Sequence, residues 1–566
     1  MKEETHMGQQ KGAKCKKTEW ILFGLLIVSY FCVSFFHEPW FDEAQSWQIA
    51  KCASIKDILF EIPHYEAHPP LWHLLLSILA KTGVPYELGL SFASGIAVIL
   101  SGWLLLFRSP FPKVIRCLLP FSYFLFYQYG VVSRPYGLMG LVFLLLALNF
   151  KKKNEKPVLY VILLALECLL SAYGIVLAGG IALAWVIEIF TEKGFKLSSK
   201  EFWKDLRWVA LMGLLLFAIL MILEISPRED TVIGFAKIGQ KLIPCFLYTF
   251  FMSFPDCSLL TILKGEALLR YESIGLAEMA LGCAIGAAML FAILLFASKR
   301  MLKYFAFPYL FYACFSAYVY FATHHVGIAF LFALFWFWIN WEEDEKGYYW
   351  KKLKARIHVT EQDGKKLRIL GIALGYVILV IPVVWTVMSC VTDIQKPYFY
   401  ARGTADFLKE HHLDELNVLC EWSGSMLSQD ECDAFYDMNT NVMKTAVSIA
   451  PYFDGNPFYN FNQGRADQAY VKFSIPIKEQ NLETVKSWAQ KEMPDVIVGR
   501  VNLELLFENG EIEKEDYSVV YKMRPLQFSV WKGQYTYNAF SANYVYLRKD
   551  LLEEYGLKPL GETPID

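Results

Sequence analysis

The sequence is poor in charge. Asp, Glu, Lys and Arg supply 19% of its 566 residues, against roughly 25% in an average soluble protein. It also lacks a net charge of either sign, because 54 basic residues face 56 acidic ones. That excludes the strongly basic field of a nucleic-acid binder. Several motifs are missing as well. There is no P-loop, G-x-G-x-x-G, H-E-x-x-H or G-x-S-x-G pattern. No Asp-x-Asp triplet occurs, so the usual metal clamp for a nucleotide-sugar pyrophosphate is absent. The 12 cysteines form no C-x-x-C pair and no zinc-type spacing. No internal repeat is visible, which weakens a transporter reading.

Apolar sequence is abundant. Hydrophobic residues make up 55% of the chain, which excludes a disordered polymer. They concentrate in runs at Trp20–Phe36, Leu88–Phe107, Val114–Tyr129, Gly137–Phe150, Val158–Tyr173, Gly174–Phe190, Trp208–Ile225, Ile274–Ala297, Leu302–Ala322, Val326–Trp341 and Ile369–Met388. Most approach the length that crosses a hydrocarbon core of about 30 Å as helix. Two shorter stretches, Leu71–Ala80 and Leu242–Phe254, read as interfacial or re-entrant helices. The expected fold is an all-α polytopic membrane domain with about 11–13 transmembrane helices. A small extracytoplasmic α/β domain follows it. The divisions are a basic tail over 1–19, the membrane domain over 20–389 with a first outer loop at 37–70, and the last domain over 390–566.

Lys/Arg bias orients such a chain. Lys11, Lys14, Lys16 and Lys17 place the head in the cytoplasm. Basic loops at Arg108–Arg116, Lys151–Lys156, Lys193–Arg207, Lys299–Lys303 and Lys346–Arg368 all fall on that side if there are eleven spans. Residues 390–566 then lie outside. Cys420 and Cys432 fall there, where a disulfide is chemically allowed. That region has no Asn-x-Ser/Thr acceptor, which suits a bacterial chain. Ala405–Glu410 reads as helix, and Asn417–Cys420, Val496–Val498, Tyr517–Tyr521 and Leu526–Trp531 read as strands.

Chemistry gathers on the outer side. The first loop carries His37, Asp42–Glu43, His64, Glu66 and His68. Asp42 with Gln45 three residues later fits a capping box. A carboxylate fixed at a helix start also suits a general base. Glu43 is either its partner or a solvated neighbour. His64, Glu66 and His68 alternate in H-Y-E-A-H, which puts them on one side of an extended segment. They suit a polar loop, a substrate contact or a divalent metal, with metal not favoured. Arg134 in Ser133–Tyr136 either snorkels at a span end or grips phosphate bidentately. His324–His325 read as a wet interfacial pair or a second phosphate contact. Glu224, Arg228, Lys237, Lys241 and Arg270 are weaker outer candidates. The aromatic tract Tyr452–Phe461 suits core packing or sugar stacking.

These segments resemble a known family. F-D-E-A-Q-S-W-Q-I-A-K after the first span, then H-P-P-L-W-H-L-L-L, S-R-P-Y-G-L and H-H-V-G, look like the GT-C class of polytopic glycosyltransferases. More narrowly they are similar to bacterial relatives of protein O-mannosyltransferases and aminoarabinose transferases. The resemblance implies a hexosyl- or pentosyltransferase of the plasma membrane. It would take a sugar from a polyprenyl-phosphate donor to a glycan, glycolipid or protein acceptor. It implies Asp42 as general base with Glu43 beside it. His68 falls in the family's x-P-P-L element, and Arg134, His324 and His325 match donor-phosphate contacts; Tyr136 is a further substrate-binding candidate. The rival readings are a flippase of lipid-linked saccharides and a non-catalytic envelope assembly protein.

Overall fold

The computed structural model describes residues 2–193, 204–231, 242–259, 276–321, 323–356, 360–420, 444–458, 470–471, 493–499, 514–529, 534–537 and 543–560. Helix dominates. The first helix, α1 (Lys2–Phe36), holds the span Lys17–Phe36. Three short helices follow in the first loop: α2 (Phe41–Cys52), α3 (Ile55–Phe60) and α4 (Ile62–Glu66). Next come α5 (Leu71–Lys81), α6 (Tyr86–Phe107) and α7 (Lys113–Leu118), a π-helical segment at Phe124–Val131, and α8 (Tyr136–Asn149).

Among the described residues, six helices are long and apolar enough to cross a membrane. They are Lys17–Phe36, Tyr86–Phe107, Ala172–Glu192, Leu206–Ile225, Met279–Phe296 and Gln362–Gln395. Their surfaces explain the composition. Val28, Leu216 and Leu223 are 67%, 61% and 62% exposed. Apolar side chains left uncovered along whole helices suit lipid and not water.

The other five expected spans fold as shorter or broken helices. The run at 114–129 splits into α7, a 3₁₀ turn at Leu119–Phe121 and the π-helical segment. Pro120 stands at the break. The helices α8 and Pro157–Leu170 have 14 residues each, reaching only about 21 Å. Leu302–Tyr318 has 17 residues and Val326–Trp341 has 16. Protein, not lipid, surrounds much of this group. Met139, Phe143, Leu144, Phe335 and Trp336 are fully buried. Leu71–Lys81 is a short helix, and Leu242–Asp256 is interrupted by π-helix at Tyr248–Met252.

Polar contacts separate the two ends of these helices. At one end Arg116 pairs with Glu19, Lys153 and Arg300 with Glu188, Lys151 with Glu342, and Arg207 with Glu192. At the other end His37 pairs with Asp393, Arg228 with Glu61, and Arg402 with Glu87.

The later part of the chain forms a small sheet. Its strands are β1 (Val418–Cys420), β2 (Val496–Gly499), β3 (Tyr517–Met523) and β6 (Asn543–Arg548), in the order β1-β2-β6-β3. Only the β1–β2 pair is parallel, with Leu419 opposite Ile497. A separate hairpin joins β4 (Leu526–Ser529) to β5 (Gln534–Tyr537). The helix Ala401–Glu410 lies on β3, with Phe407 stacked on Tyr521 at 4.5 Å. One apolar core runs from this sheet into the first loop. It joins Val418, Val496 and Val545 to Trp47, Trp72 and Tyr86. Cys420 is buried on β1. Cys432 lies outside the described residues, as do Lys237, Lys241, Arg270 and 459–461 of the aromatic tract. Tyr452 of that tract packs edge-on to Tyr86 and donates to Glu87 at 2.7 Å.

Candidate functional site

The first loop folds tightly after α1. The helix α2 begins at Phe41, and Trp40 is its cap position. Glu43 does the capping: its Oε2 accepts from the Trp40 backbone N–H at 3.1 Å. The expected Asp42–Gln45 box therefore does not form. The helix starts two residues earlier than that box requires, with Phe41 buried in the apolar core that continues from the later sheet. Asp42 is thus relieved of capping and sits in the first helical turn. Ser54 caps the next helix, α3, with Asp57 N–H donating to Ser54 Oγ at 3.0 Å.

Glu43 is no solvated neighbour. It is fully buried, and its Oε1 accepts from the Ser133 backbone N–H at 2.6 Å. Its Oε2 also faces His37 Nε2 at 3.3 Å. The other ring nitrogen, Nδ1, lies 2.8 Å from Asp393 Oδ2. Tyr127 donates to the second oxygen of Asp393 at 2.8 Å. Burial pushes the His37 pKa down, but Glu43 and Asp393 outweigh it and raise it to about 10. His37 is therefore a cation bridging two carboxylates. This strut ties α2 and the Ser133 turn to the long helix Glu361–Gln395.

In front of the strut lies a cavity. Its lining includes Asp42, Gln45, Glu66, His68, Arg134, Tyr320, His324 and His325. Arg134 pairs directly with Asp42, and both are largely buried. Burial alone would lower the guanidinium pKa, yet the Asp42 carboxylate holds it up. Close approach sets the turn that carries Arg134. A Cβ on Gly137 would come within 2.2 Å of the Tyr129 carbonyl oxygen. The π-helical segment before it ends in that same tight contact, a bulge type common at functional sites.

The histidines divide. Residues Ile62–Glu66 are helical, not extended, and Ala67 is left-handed at φ 53°. The alternation expected in H-Y-E-A-H is thereby lost. Glu66 and His68 face the cavity, while His64 Nδ1–H donates to the Ser226 carbonyl oxygen, 2.8 Å away. His64 is therefore not a cavity residue; it braces α4 against Leu206–Ile225. A metal reading of this trio fails on geometry. Among the described residues no group of three His, Cys, Asp or Glu gathers as metal ligands do. Tyr136 also lies behind the cavity wall. Its hydroxyl is 2.9 Å from His325 Nε2 and fixes that ring.

Electrostatics leave the site with few mobile charges. Burial, with the Arg134 cation nearby, pushes His68 and His324 each down to about 4. His325 is lowered too, first by burial. These rings are neutral at pH 7. Burial raises Glu66 to about 7, against a lowering hydrogen bond from Gln45 Nε2 at 2.9 Å. Gln45 itself is clamped by Val471, donating to its carbonyl at 2.7 Å and accepting from its N–H at 3.0 Å.

A prediction follows for Glu66. Its pKa rises from 4.5 to about 7 on folding, so its contribution to stability is complete below 4.5 and is lost as pH climbs through 7. Replacing Glu66 with Gln is expected to flatten that part of the stability–pH curve. Thermal unfolding of purified protein at pH 5 and pH 8 checks it, and an unchanged difference between the two would contradict it.

The structure therefore gathers Asp42, Glu66, His68, Arg134, His324 and His325. It sets Glu43 and Tyr136 behind them and His64 aside. Sequence reasoning missed Gln45, Trp72, His73 and Tyr320, which also line the cavity. Trp72 and His73 stand one residue after the double proline, so their place in P-P-L-W-H was the available signal. No family model, curated protein or solved structure matches this chain.

Proposed function

We propose that the protein is a GT-C-like membrane glycosyltransferase of the bacterial plasma membrane. It moves a sugar from a polyprenyl-phosphate donor to a cell-envelope glycan, glycolipid or protein. The observation that carries this reading is the convergence of one carboxylate and one buried guanidinium, Asp42 and Arg134, in a cavity walled by neutral histidines. A lipid donor keeps its tail among the helices while its phosphate reaches Arg134. The head of the chain is cytoplasmic in this reading, and residues 390–566 are extracytoplasmic. The gathering of basic loops at one end of the helices supports that orientation.

The chemistry is a single displacement. The acceptor oxygen forms a bond to the anomeric carbon as the bond from that carbon to phosphate oxygen breaks. The phosphate leaves with the electron pair, stabilised by Arg134. Asp42 takes the acceptor proton. No covalent intermediate forms, so the anomeric configuration inverts. In the free protein Asp42 occupies Arg134, and donor phosphate must take its place. That exchange frees the carboxylate when the donor is bound.

Arg134→Ala tests the phosphate role. A hydrogen bond to a charged group contributes about 1.5–3 kcal/mol, so donor affinity is expected to fall about 10- to 100-fold. Acceptor KM is expected to stay nearly constant. Titration calorimetry with a polyprenyl-phosphate sugar reads this, and an unchanged donor affinity would refute the assignment.

One observation favours a second reading, transport of a lipid-linked saccharide. Glu167 is fully buried and neither of its carboxyl oxygens has a partner among the described residues. Ionisable groups inside membranes often mark transport paths. Saccharide flux into liposomes without glycosyl product would favour it.

A further inference from the structure

The cavity has a second wall whose chemistry the displacement does not use. His68 and Trp72 stand on either side of the Pro69–Pro70 turn that starts α5, and both line the cavity. Trp72 is 2% exposed, and its indole Nε1 is buried with no acceptor among the described residues. The Nδ1 atom of His68 is likewise buried without a partner among the described residues. Around them, polar groups are engaged: Gln45 holds Glu66 and Val471, and Asp42 holds Arg134. The large majority of buried side-chain polar atoms in folded proteins are paired. An orphaned one costs about 1–3 kcal/mol. Two orphans four residues apart in one cavity mark a place kept for a ligand.

The two atoms also define what that ligand is. An indole N–H only donates. A neutral imidazole nitrogen accepts or donates according to its tautomer. Hydroxyl groups, which do both, complement this pair. An anion is served better by Arg134, and a cation by Asp42 and Glu66. Resting on the transferase reading, we infer that His68 and Trp72 form a neutral subsite that recognises hydroxyl groups of the donor's sugar. The phosphate is held separately by Arg134. The cavity thus reads the donor in two parts, and the sugar part sets donor choice.

The test separates those parts. Purified full-length protein in nanodiscs is titrated with polyprenyl phosphate and with the same carrier bearing mannose, glucose or galactose. Wild type is expected to bind at least one glycosylated carrier about tenfold tighter than the bare one, an increment of about 1.4 kcal/mol. Trp72→Phe and His68→Phe, each checked for folding by thermal unfolding, are expected to shrink that ratio to about threefold or less. Affinity for the bare carrier stays constant in both. A full ratio retained by either folded variant overturns the subsite and leaves the transferase reading standing. Equal weakening of bare and glycosylated carriers overturns it too, since both residues would then act on phosphate. Failure of wild type to bind any carrier removes the subsite together with the transferase reading.

Discussion

Asp42→Asn is expected to lower sugar transfer about 1,000-fold, within the range a positioned general base supplies. The amide keeps the shape of the side chain but cannot take the acceptor proton. Helix α2 is expected to survive the change, because Glu43 and not Asp42 caps it. Donor binding supplies the decisive second reading. Asp42 pairs with Arg134 in the free protein, so removing its charge releases the guanidinium for phosphate. Donor affinity is therefore expected to hold or to tighten while turnover collapses. A residue with a merely structural role would lose both together. Full turnover in the Asn variant would contradict the assignment of Asp42.

His37→Gln is expected to destabilise the protein by about 3–5 kcal/mol, the usual cost of stripping one partner from a buried ionic group. The change leaves Glu43 and Asp393 buried with no cation between them. Its pH signature is specific. The His37 pKa rises from 6.5 to about 10 on folding. Its stabilisation is therefore complete below pH 6.5 and lost as pH rises through 10. Wild type is expected to lose stability across that window, and the Gln variant to show a flatter curve. Chemical denaturation in detergent from pH 6 to pH 10 measures both. Adding Glu43→Gln and Asp393→Asn to His37→Gln removes the uncompensated charge and is expected to recover part of the loss. A variant as stable as wild type at pH 7 would show that the strut carries no weight.

Much of this arrangement was legible in the residues. Hydropathy separated the membrane helices from the later sheet region, because lipid leaves long apolar runs in a sequence. Strands β1 to β4 were visible as well. Strands β5 and β6 were not: five of six residues of β6 are buried, so alternation is lost, and unlike V-I-V-G of β2 its N-Y-V-Y-L-R is not one aliphatic run. Of the eleven expected spans, six are long, apolar helices among the described residues, and the other five are shorter or broken. Hydropathy reports burial without saying whether lipid or protein does the covering, so the short runs Gly137–Phe150 and Val158–Tyr173 were counted with the longer ones.

The site was legible by residue type more than by geometry. Asp42, Arg134, His324 and His325 stood out as polar groups at apolar span ends, and the fold brings them together. The capping pattern misled because D-E-A-Q offers two acids, and the second one caps. The H-Y-E-A-H alternation misled because Ala67 takes a left-handed conformation, which a side chain adopts at a cost of about 1–2 kcal/mol. Nothing in a single sequence announces that bend. Gln45 was passed over because its role depends on Val471, more than 400 residues away.

The most direct measurement follows the donor. Purified protein is incubated with a panel of radiolabelled polyprenyl-phosphate sugars and envelope acceptors, and donor consumption is counted beside the Asp42→Asn variant. The account predicts that wild type consumes at least one donor with release of polyprenyl phosphate and a labelled, inverted product, and that the variant consumes none above background. Consumption of no donor by wild type, or equal consumption by both proteins, would contradict it.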